Sequence, residues 1–451
     1  MDGTNTMGKW ILHVKDFGKI REAAVQPAPL TLFIGDNNSG KSYIMTLLYG
    51  IMSVDFWADR FVFREDSNVY QKCAETVKDL IGQCNRHSVV EYKIHENELQ
   101  LYQQLLNELL DINKSKFLKN LFNRELNIEA LRIEFQETAE FRFFISVEED
   151  MNKNSVLYIS TNSFSWGVMY EENIPDGRIV WTLARVLQGM LQSDAAQPVY
   201  FPTARTGFLL TYKDLTRNAI KERFSLETSE KNLLTKPNTD FLMALSSMNV
   251  SRQNERYPVL AEFIERHILS GHIQASGYPM LEVEYQPDGT ADSLPMYVSS
   301  AVVTETVPLL MFLKYGIADI FLLEEPEISL HPKLQWEMAR VLVRMVNTDL
   351  PVVVTTHSDI IMQHINNMIK AGKLNHIERF FQKTGYQKED LLSRKQVAVY
   401  QFEEEVDGKT SLTRLPCGDD GFEAVTFYET LKIINEQIDL IEDERKWDSV
   451  L

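Results

Sequence analysis

A short glycine-bracketed loop near the start of the chain carries residue types that bind phosphate. In GDNNSGKS, Gly35 and Gly40 flank a polar stretch that includes Asn38, and Lys41 and Ser42 follow directly. Glycines let backbone N–H groups converge on phosphate oxygens at a helix N-terminus, where a lysine reaches the β and γ phosphates and a hydroxyl binds Mg²⁺. We therefore expect these five residues to bind a nucleoside triphosphate with Mg²⁺.

Two adjacent carboxylates, Glu324 and Glu325, end an apolar run in DIFLLEEPEISLHP. Because successive side chains of a strand point in different directions, one carboxylate can hold Mg²⁺ while the next orients and deprotonates an attacking water. We assign Glu324 to the metal and Glu325 to the water. Paired acids also occur at solvated strand ends, and the phosphate loop upstream is what favours the functional interpretation.

A histidine, His357, ends another apolar run in PVVVTTHSD. A neutral imidazole at this position could contact the γ-phosphate or the attacking water. A histidine at a strand end is often incidental. Its place one helix after the acid pair favours a catalytic role beside Glu325.

The apolar runs before these residues must be strands that position them. WILHVKDFGKIREAAVQPAPLTLFIG is typical of two or three short strands that lead into the phosphate loop, and the helical pattern PKLQWEMARVLVRMV separates the acid pair from PVVVTTHSD. A helix between two buried strands is how a parallel sheet is assembled. The sequence therefore predicts an α/β fold with a P-loop nucleotide domain.

The chain divides into three expected segments. Residues 1–54 form the first part of the nucleotide core, 55–195 a mainly helical insertion with some strands, and 196–451 the second part of the core. Within this last segment, Asp288 and Gly289 mark a hairpin turn. VAVYQFEEEVDGKTSLTRL indicates a strand pair and FEAVTFYETLKIINEQIDLI a last amphipathic helix.

The charge balance bears on nucleic-acid binding. The 451 residues include 46 Lys and Arg against 64 Asp and Glu, a formal net charge of −18. Non-specific affinity for DNA comes mainly from basic side chains, so a nucleic-acid partner is not favoured, although one basic groove is compatible with this balance. NKSKFLKNLFNR and TYKDLTRNAIKERF are candidate pieces of such a groove, and solvated helix faces are the alternative for both.

Cysteine usage and hydropathy bear on the compartment. The three cysteines make neither a paired framework nor a zinc spacing, and no apolar run reaches the length of a signal segment or a membrane span. We expect a cytoplasmic protein that does not contact membranes.

Taken together, the motifs resemble the ATP-binding-cassette ATPases of the OLD, RecF and SMC class. The resemblance lies in the lead-in strand, GDNNSGKS, LLEEPEISLHP and TTHSD. The acid pair is often Glu-Glu in the OLD branch and Asp-Glu elsewhere, and the LHP that follows it is characteristic of the class. It implies an ATP-binding-cassette fold, ATP and Mg²⁺ as ligands, and hydrolysis of ATP to ADP and phosphate.

Two further segments extend the resemblance. YVSSAVVTETVPLL is similar to a degenerate signature motif, which implies that Ser299 and Ser300 cap the γ-phosphate of an ATP held by the opposite protomer; Ala301 stands where the family usually has glycine. YFPTARTG is similar to the segment that carries an arginine near the active site, here Arg205. A surface or helix-capping arginine is the alternative for that residue.

The resemblance also implies partners. A homodimer or higher homo-oligomer follows from the sandwiched ATP, and we see no Toprim pattern after His357. We therefore expect a separately encoded effector, such as a Toprim or HNH-type nuclease, as for the ATPase subunits of the anti-phage systems PARIS and Septu, with a phage protein as the trigger. The alternatives are a RecF-like ATP-dependent DNA clamp and, with little support, a GTPase or small-molecule kinase, because TKPNTD has Asn238 where an N/T-K-x-D loop needs aspartate.

Overall fold

The structure, a computed structural model, describes eleven stretches of the chain. They are residues 7–53, 62–84, 89–151, 153–162, 165–170, 176–191, 198–224, 234–276, 281–418, 421–423 and 435–441, with the side chains of 216–224 left out. No helix within these stretches is long and apolar enough to cross a membrane.

The strands and helices of the described residues are numbered in chain order. The strands are β1 (Trp10–Phe17), β2 (Ile20–Val25), β3 (Leu30–Gly35), β4 (Val89–Ile94), β5 (Ile128–Phe135), β6 (Phe141–Glu149), β7 (Ser155–Ser160), β8 (Ser165–Met169), β9 (Pro198–Phe201), β10 (Gly271–Ser276), β11 (Glu282–Pro287), β12 (Leu294–Pro295), β13 (Ile320–Glu324), β14 (Val352–Thr355), β15 (Val397–Glu404) and β16 (Thr410–Arg414). The helices are α1 (Lys41–Met52), α2 (Asn68–Gln83), α3 (Glu96–Phe122), α4 (Asp176–Leu191), α5 (Arg205–Phe224), α6 (Lys236–Ser246), α7 (Pro258–Ile264), α8 (Ala301–Tyr315), α9 (Pro332–Asn347), α10 (Asp359–Ala371) and α11 (Ile377–Thr384). A π-helical turn, Glu265–Leu269, extends α7.

A mixed sheet of nine strands organises the molecule, in the order β5-β1-β2-β16-β15-β3-β14-β13-β9. The five strands from β15 to β9 in this order are parallel: β3 pairs with β15 and β14, and β13 pairs with β14 and β9. The carboxyl ends of parallel strands meet at one edge of a sheet, which is where α/β proteins place ligands. The predicted α/β, P-loop fold class is confirmed.

Both faces of the central strands are covered. All six residues of β3 are buried, and their side chains alternate between two apolar clusters: Phe33 lies in one, Leu32 and Ile34 in the other. A strand buried on both faces has a continuous apolar sequence rather than an alternating one. This explains why LTLFIG and the run before the acid pair are apolar throughout.

A lobe of helices and strands packs on one face of the sheet. It contains α2, α3 and α4 with an antiparallel sheet in the order β4-β6-β7-β8. The cluster that holds Phe33 continues into the lobe through Tyr102 of α3 and Leu157 of β7. Helix α3 begins with a capping box in which the backbone N–H of His95 donates to Glu98 Oε2 at 3.1 Å.

The segment 55–195, predicted to be a mainly helical insertion with some strands, contains five strands and three helices among its described residues. One of them, β5, leaves the lobe and pairs with β1 in the main sheet, with Trp10 opposite Phe135. Its sequence IEALRIEF alternates between buried and exposed side chains, as expected of a strand covered on one face. The main sheet therefore draws a strand from this segment, and the division at residues 54 and 195 stays a prediction.

Other expectations about the second part of the core can be compared directly with the structure. The hairpin around Asp288 and Gly289 is present as β11 and β12, and the strand pair is present as β15 and β16. The predicted last helix, 422–441, falls partly outside the described residues, and 435–441 are helical.

Candidate nucleotide-binding site

The phosphate loop joins β3 to α1 through backbone conformations that favour glycine. The φ angles are +136° at Gly35, +60° at Asn38 and +101° at Gly40. A Cβ added at Gly35 would lie 2.6 Å from the carbonyl oxygen of Phe402, and one at Gly40 would lie 2.9 Å from Ile20 Cγ1. A side chain at either position would therefore be strained and crowded, and the glycines leave the backbone N–H groups of the loop at the start of α1.

Lys41 lies folded over this loop. Its Nζ donates to the Gly35 carbonyl at 2.9 Å, to the Asp36 carbonyl at 2.6 Å and to Ser39 Oγ at 3.3 Å. Burial lowers the pKa of Lys41 to about 8, against the opposing effect of the Glu325 carboxylate. The ammonium is thus placed where phosphate oxygens could replace the loop carbonyls as acceptors. Ser42 is exposed in the first turn of α1.

Glu324, the last residue of β13, is held by groups at the end of β9. Its Oε2 accepts from the backbone N–H of Thr203 at 3.2 Å and from Thr203 Oγ1 at 3.0 Å. Burial, followed by the Glu324 carboxylate, raises the pKa of Tyr200, whose hydroxyl contacts both Glu324 and Thr46 of α1. Because α1 packs against β13 and β14, the carboxylate lies on the same edge of the sheet as the phosphate loop.

Glu325 turns away from the strand. Its φ is +42°, a conformation that few residues other than glycine adopt, and its backbone N–H donates to the Thr355 carbonyl of β14 at 2.9 Å. The kink explains how neighbouring carboxylates separate: Glu324 stays buried and Glu325 remains one-third exposed. Burial and the Glu324 carboxylate raise the pKa of Glu325, while Lys41 and Arg205 oppose the rise.

His357 lies beside Glu325 at the carboxyl ends of the paired strands β13 and β14. Its Nε2 lies 3.7 Å from Glu325 Oε1. Burial lowers the pKa of His357, and the nearby Lys41 ammonium lowers it further. The imidazole is therefore neutral at physiological pH and can accept or donate a proton at Nε2.

Glu327 is a site residue that the sequence interpretation missed. Its Oε1 accepts from Thr356 Oγ1 at 2.8 Å and from the backbone N–H of His357 at 2.6 Å, while its Oε2 is buried without a hydrogen-bond partner. Burial raises the pKa of Glu327. The carboxylate fixes the loop that carries His357. The available signal was the third acid of EEPE, two residues after Glu325.

Arg205 lies behind the acid pair rather than in the cradle. The residue is 3% exposed, and its guanidinium donates to the backbone carbonyls of Glu324 and Glu325. Burial lowers the pKa of Arg205 from its ordinary value, and the Glu305 carboxylate opposes this. The structure thus places Arg205 against the backbone of the acid pair, where it bonds to the two carbonyls rather than to the phosphate loop.

The two serines Ser299 and Ser300 stand at the start of α8. Ser299 Oγ donates to the Pro295 carbonyl at 3.1 Å, and Ser300 is the N-cap residue without a side-chain cap bond. Ser300 is exposed, as are its neighbours Tyr297 and Val298, at 76% and 56%. Between described residues, no hydrogen bond joins either serine to the phosphate loop of its own protomer.

Comparison with known proteins identifies the family. Residues 11–362 match the model of the AAA ATPase domain, AAA_15, over more than half of the chain. The chain belongs to this family. No curated protein matched it.

Several solved structures share low similarity with this AAA ATPase domain protein. An SMC head bound to the C-winged helix domain of ScpA is 13% identical, covering 90% of this chain and 96% of that chain, with a TM-score of 0.36. The SMC head domain from Thermotoga maritima is 11% identical, with coverages of 90% and 98% and a TM-score of 0.33. An SMC head from Pyrococcus furiosus, bound to the C-terminal domain of ScpA, is 13% identical, with coverages of 94% and 98% and a TM-score of 0.35. Since these scores are low, the family assignment rests on the sequence match.

The residues of this ATPase domain fit ATP with Mg²⁺. The glycine loop presents its backbone N–H groups at the start of α1, and Ser42 and Glu324 offer the hydroxyl and carboxylate oxygens that Mg²⁺ prefers. Magnesium usually takes only one or two protein ligands and completes its shell with phosphates and water. The described residues contain no cluster of three or more His, Cys, Asp or Glu side chains that could hold a metal ion.

Proposed function

We propose that the chain is an ATP-hydrolysing molecular switch in which two protomers sandwich two ATP molecules. Each ATP lies between the phosphate loop of one protomer and Ser299 and Ser300 of the other. One observation supports this most directly: Lys41, Glu325 and His357 meet at one edge of the sheet, while the two serines start an exposed helix with no bond to that edge.

The side chains divide the work of hydrolysis. Lys41 exchanges its loop carbonyls for the β and γ phosphates, and Ser42 and Glu324 hold Mg²⁺. When bound, Mg²⁺ neutralises charge on the phosphates. Glu325 accepts a proton from the attacking water. The water oxygen bonds to the γ-phosphorus, and the bond between that phosphorus and the leaving ADP oxygen breaks. Neutral His357, 3.7 Å from Glu325, orients that water or the γ-phosphate.

The roles of the two acids can be separated by substitution. Glu325→Gln keeps the size of the side chain but cannot accept the proton, so we expect ATP binding close to that of the wild type and turnover reduced about 10²- to 10⁴-fold. Phosphate release and binding of a fluorescent ATP analogue measure the two quantities. Rapid turnover by Glu325→Gln would contradict the role of Glu325 as the proton acceptor. Glu282→Gln, which makes the same change at an exposed carboxylate paired with Lys213, is the matched control.

We further propose that the nucleotide state controls a separately encoded effector in bacterial anti-phage defence. The motif resemblance to the ATPase subunits of PARIS and Septu supports this, with a Toprim or HNH-type nuclease as effector and a phage protein as trigger. The nucleotide edge is generic in its chemistry, so specificity for the trigger or effector falls to the lobe within 55–195.

A RecF-like DNA clamp is the alternative, and the pairing of its candidate basic side chains with carboxylates disfavours it. In the two basic segments, Lys114 lies 3.7 Å from Asp111, Lys119 lies 3.0 Å from Glu125, and Lys213 lies 3.1 Å from Glu282. Arg217, Lys221 and Arg223 lie outside the described side chains. Lysines paired with carboxylates contribute less to phosphate binding.

The partner can be identified with the trapped ATP state. Tagged Glu325→Gln protein, produced beside its native neighbouring genes, is purified with ATP and Mg²⁺, and bound proteins are read by mass spectrometry. A co-purifying nuclease supports the switch. Nucleic acid recovered without a protein partner, with affinity that rises with ATP and falls with salt, would favour the clamp instead.

A further inference from the structure

Arg205 connects two elements that the proposed mechanism uses separately. On one side its Nη1 and Nη2 donate to the carbonyls of Glu324 and Glu325, the latter at 3.2 Å. On the other side its Nε lies 3.3 Å from the Glu305 carbonyl and 3.2 Å from Glu305 Oε2. Glu305 belongs to α8, the helix that Ser300 begins.

The link is buried, and Glu305 Oε2 lies close to the guanidinium without making a hydrogen bond. The side chains of Arg205 and Glu305 are 4% and 9% exposed, and a further bond from Nη1 reaches the Pro202 carbonyl at 3.3 Å. A buried ion pair costs desolvation free energy, which is offset only when geometry and additional hydrogen bonds are good. Here the additional hydrogen bonds are those of the guanidinium, whose planar fork donates to four backbone carbonyls.

A second contact runs beside the first. Thr206 Oγ1 lies 2.9 Å from Thr304 Oγ1, so the starts of α5 and α8 are joined at consecutive residues. Arg205 and Thr206 thus join α8 to the backbone that carries Glu325, which has a φ of +42°.

We propose that Arg205 is a positioning residue that couples the helix starting at Ser300 to the carboxylate that activates water. Docking of Ser299 and Ser300 on the partner's nucleotide fixes α8, and Arg205 passes this constraint to Glu325 in the same protomer. Hydrolysis in one phosphate loop thus depends on nucleotide in the other. This inference rests on the proposed function and adds a route of regulation to it.

The test compares full-length Arg205→Lys, Glu305→Gln and their double variant with the wild type. Lysine keeps the charge but loses the fork to the two carbonyls. We expect Arg205→Lys to bind a fluorescent ATP analogue within about twofold of wild type, while kcat falls about tenfold or more because Glu325 is misplaced. Glu305→Gln lowers kcat less, and the double variant is no slower than Arg205→Lys, since both residues act through one link.

Three outcomes would overturn the coupling. They are wild-type kcat in Arg205→Lys, loss of ATP affinity in parallel with kcat, and independent, multiplying effects of the two substitutions. Thermal unfolding checks the fold, and if Arg205→Lys does not fold, Glu305→Gln and Thr206→Val, which each break one contact with α8, replace it: each should lower kcat while ATP affinity is kept. Arg266→Lys, at an exposed pair with Glu262, is the matched control. Absence of ATP hydrolysis in the wild type would instead refute the proposed function itself.

Discussion

Burial and nearby carboxylates shift the pKa of Lys41 in opposite directions. Burial favours the neutral amine and lowers its pKa to about 8, whereas the carboxylates of Glu325, Asp36 and Glu327 favour the ammonium. A bound triphosphate adds negative charge and favours the ammonium further. The pKa of Lys41 must therefore be higher with ATP bound than without it.

This difference predicts a pH dependence of ATP affinity. Above about pH 8 the free protein has lost the Lys41 proton, so binding must take one up and the affinity falls, by up to tenfold per pH unit. Below that pH the lysine is charged in both states and contributes no slope. Calorimetric titrations between about pH 7 and about pH 9.5 measure the effect.

Lys41→Arg is the control for this measurement, because a guanidinium keeps its charge throughout the range. We expect its ATP affinity to be lower than that of the wild type but independent of pH above about 8. The same alkaline loss in Lys41→Arg would show that another group is responsible.

The residues of the site were predictable to different degrees. The phosphate loop, the acid pair and His357 each follow an apolar run, and the strand-end rule places them on one edge without knowledge of the tertiary structure. The direction of Arg205 was not predictable, because it depends on α8 packing a hundred residues later in the chain. Thr203 and Glu327 act through hydrogen bonds to neighbours in space, which no spacing rule identifies.

Among the elements, α9 connects the acid loop to the outer part of the molecule. It starts at Pro332, shortly after the acid pair, and carries Arg340 and Arg344 into a buried site. Both donate to Asp390, which is fully buried: Arg340 Nε at 3.1 Å and Arg344 Nε at 2.6 Å. Their guanidinium groups also lie over the ring of Phe263, at 4.9 Å and 3.9 Å from its centroid. This network fixes the helix that follows the acids.

Asp390→Asn tests how much this anchor contributes to stability. The substitution leaves two buried guanidinium groups without their shared counter-charge, and we expect the free energy of unfolding to fall by about 3 kcal/mol. Urea denaturation followed by tryptophan fluorescence measures it, since Trp336 contacts Arg340. Glu262→Gln, which breaks the exposed pair with Arg266, should change stability by less than about 0.5 kcal/mol. Equal effects of the two substitutions would contradict the buried role of Asp390.

The sequence predicted the elements of the nucleotide core better than those of the lobe. Runs such as LTLFIG and IFLLE identify themselves as strands because they are buried on both faces. β5 was assigned to a mainly helical segment, since its short alternating pattern follows the long apolar stripe of α3. Its pairing with β1 joins residues more than a hundred positions apart, and local periodicity carries no information about such a contact.

At the scale of the whole molecule, our proposal gives each protomer only part of each nucleotide site. The phosphate loop, acids and histidine lie together, while Ser300 and the exposed Tyr297 and Val298 form a separate surface at the start of α8. Exposed apolar side chains beside a polar helix start are suited to contact with a second protein surface. In our proposal that surface is the nucleotide edge of a second copy.

Ser300→Arg therefore separates ATP binding from assembly. In the Glu325→Gln background, we expect ATP to convert the 52.1-kDa protomer into a species of twice that mass, measured by light scattering after size-exclusion chromatography. Adding Ser300→Arg places a bulky side chain at the contact and abolishes the dimer, while ATP affinity of the monomer stays unchanged because its own phosphate loop is intact. Ser251→Arg, a matched change at another exposed serine, leaves the dimer in place. If the Ser300→Arg protein still dimerises at the same ATP concentrations as the protein without this substitution, the interface lies elsewhere. Ser299 and Ser300 would then not belong to the nucleotide site.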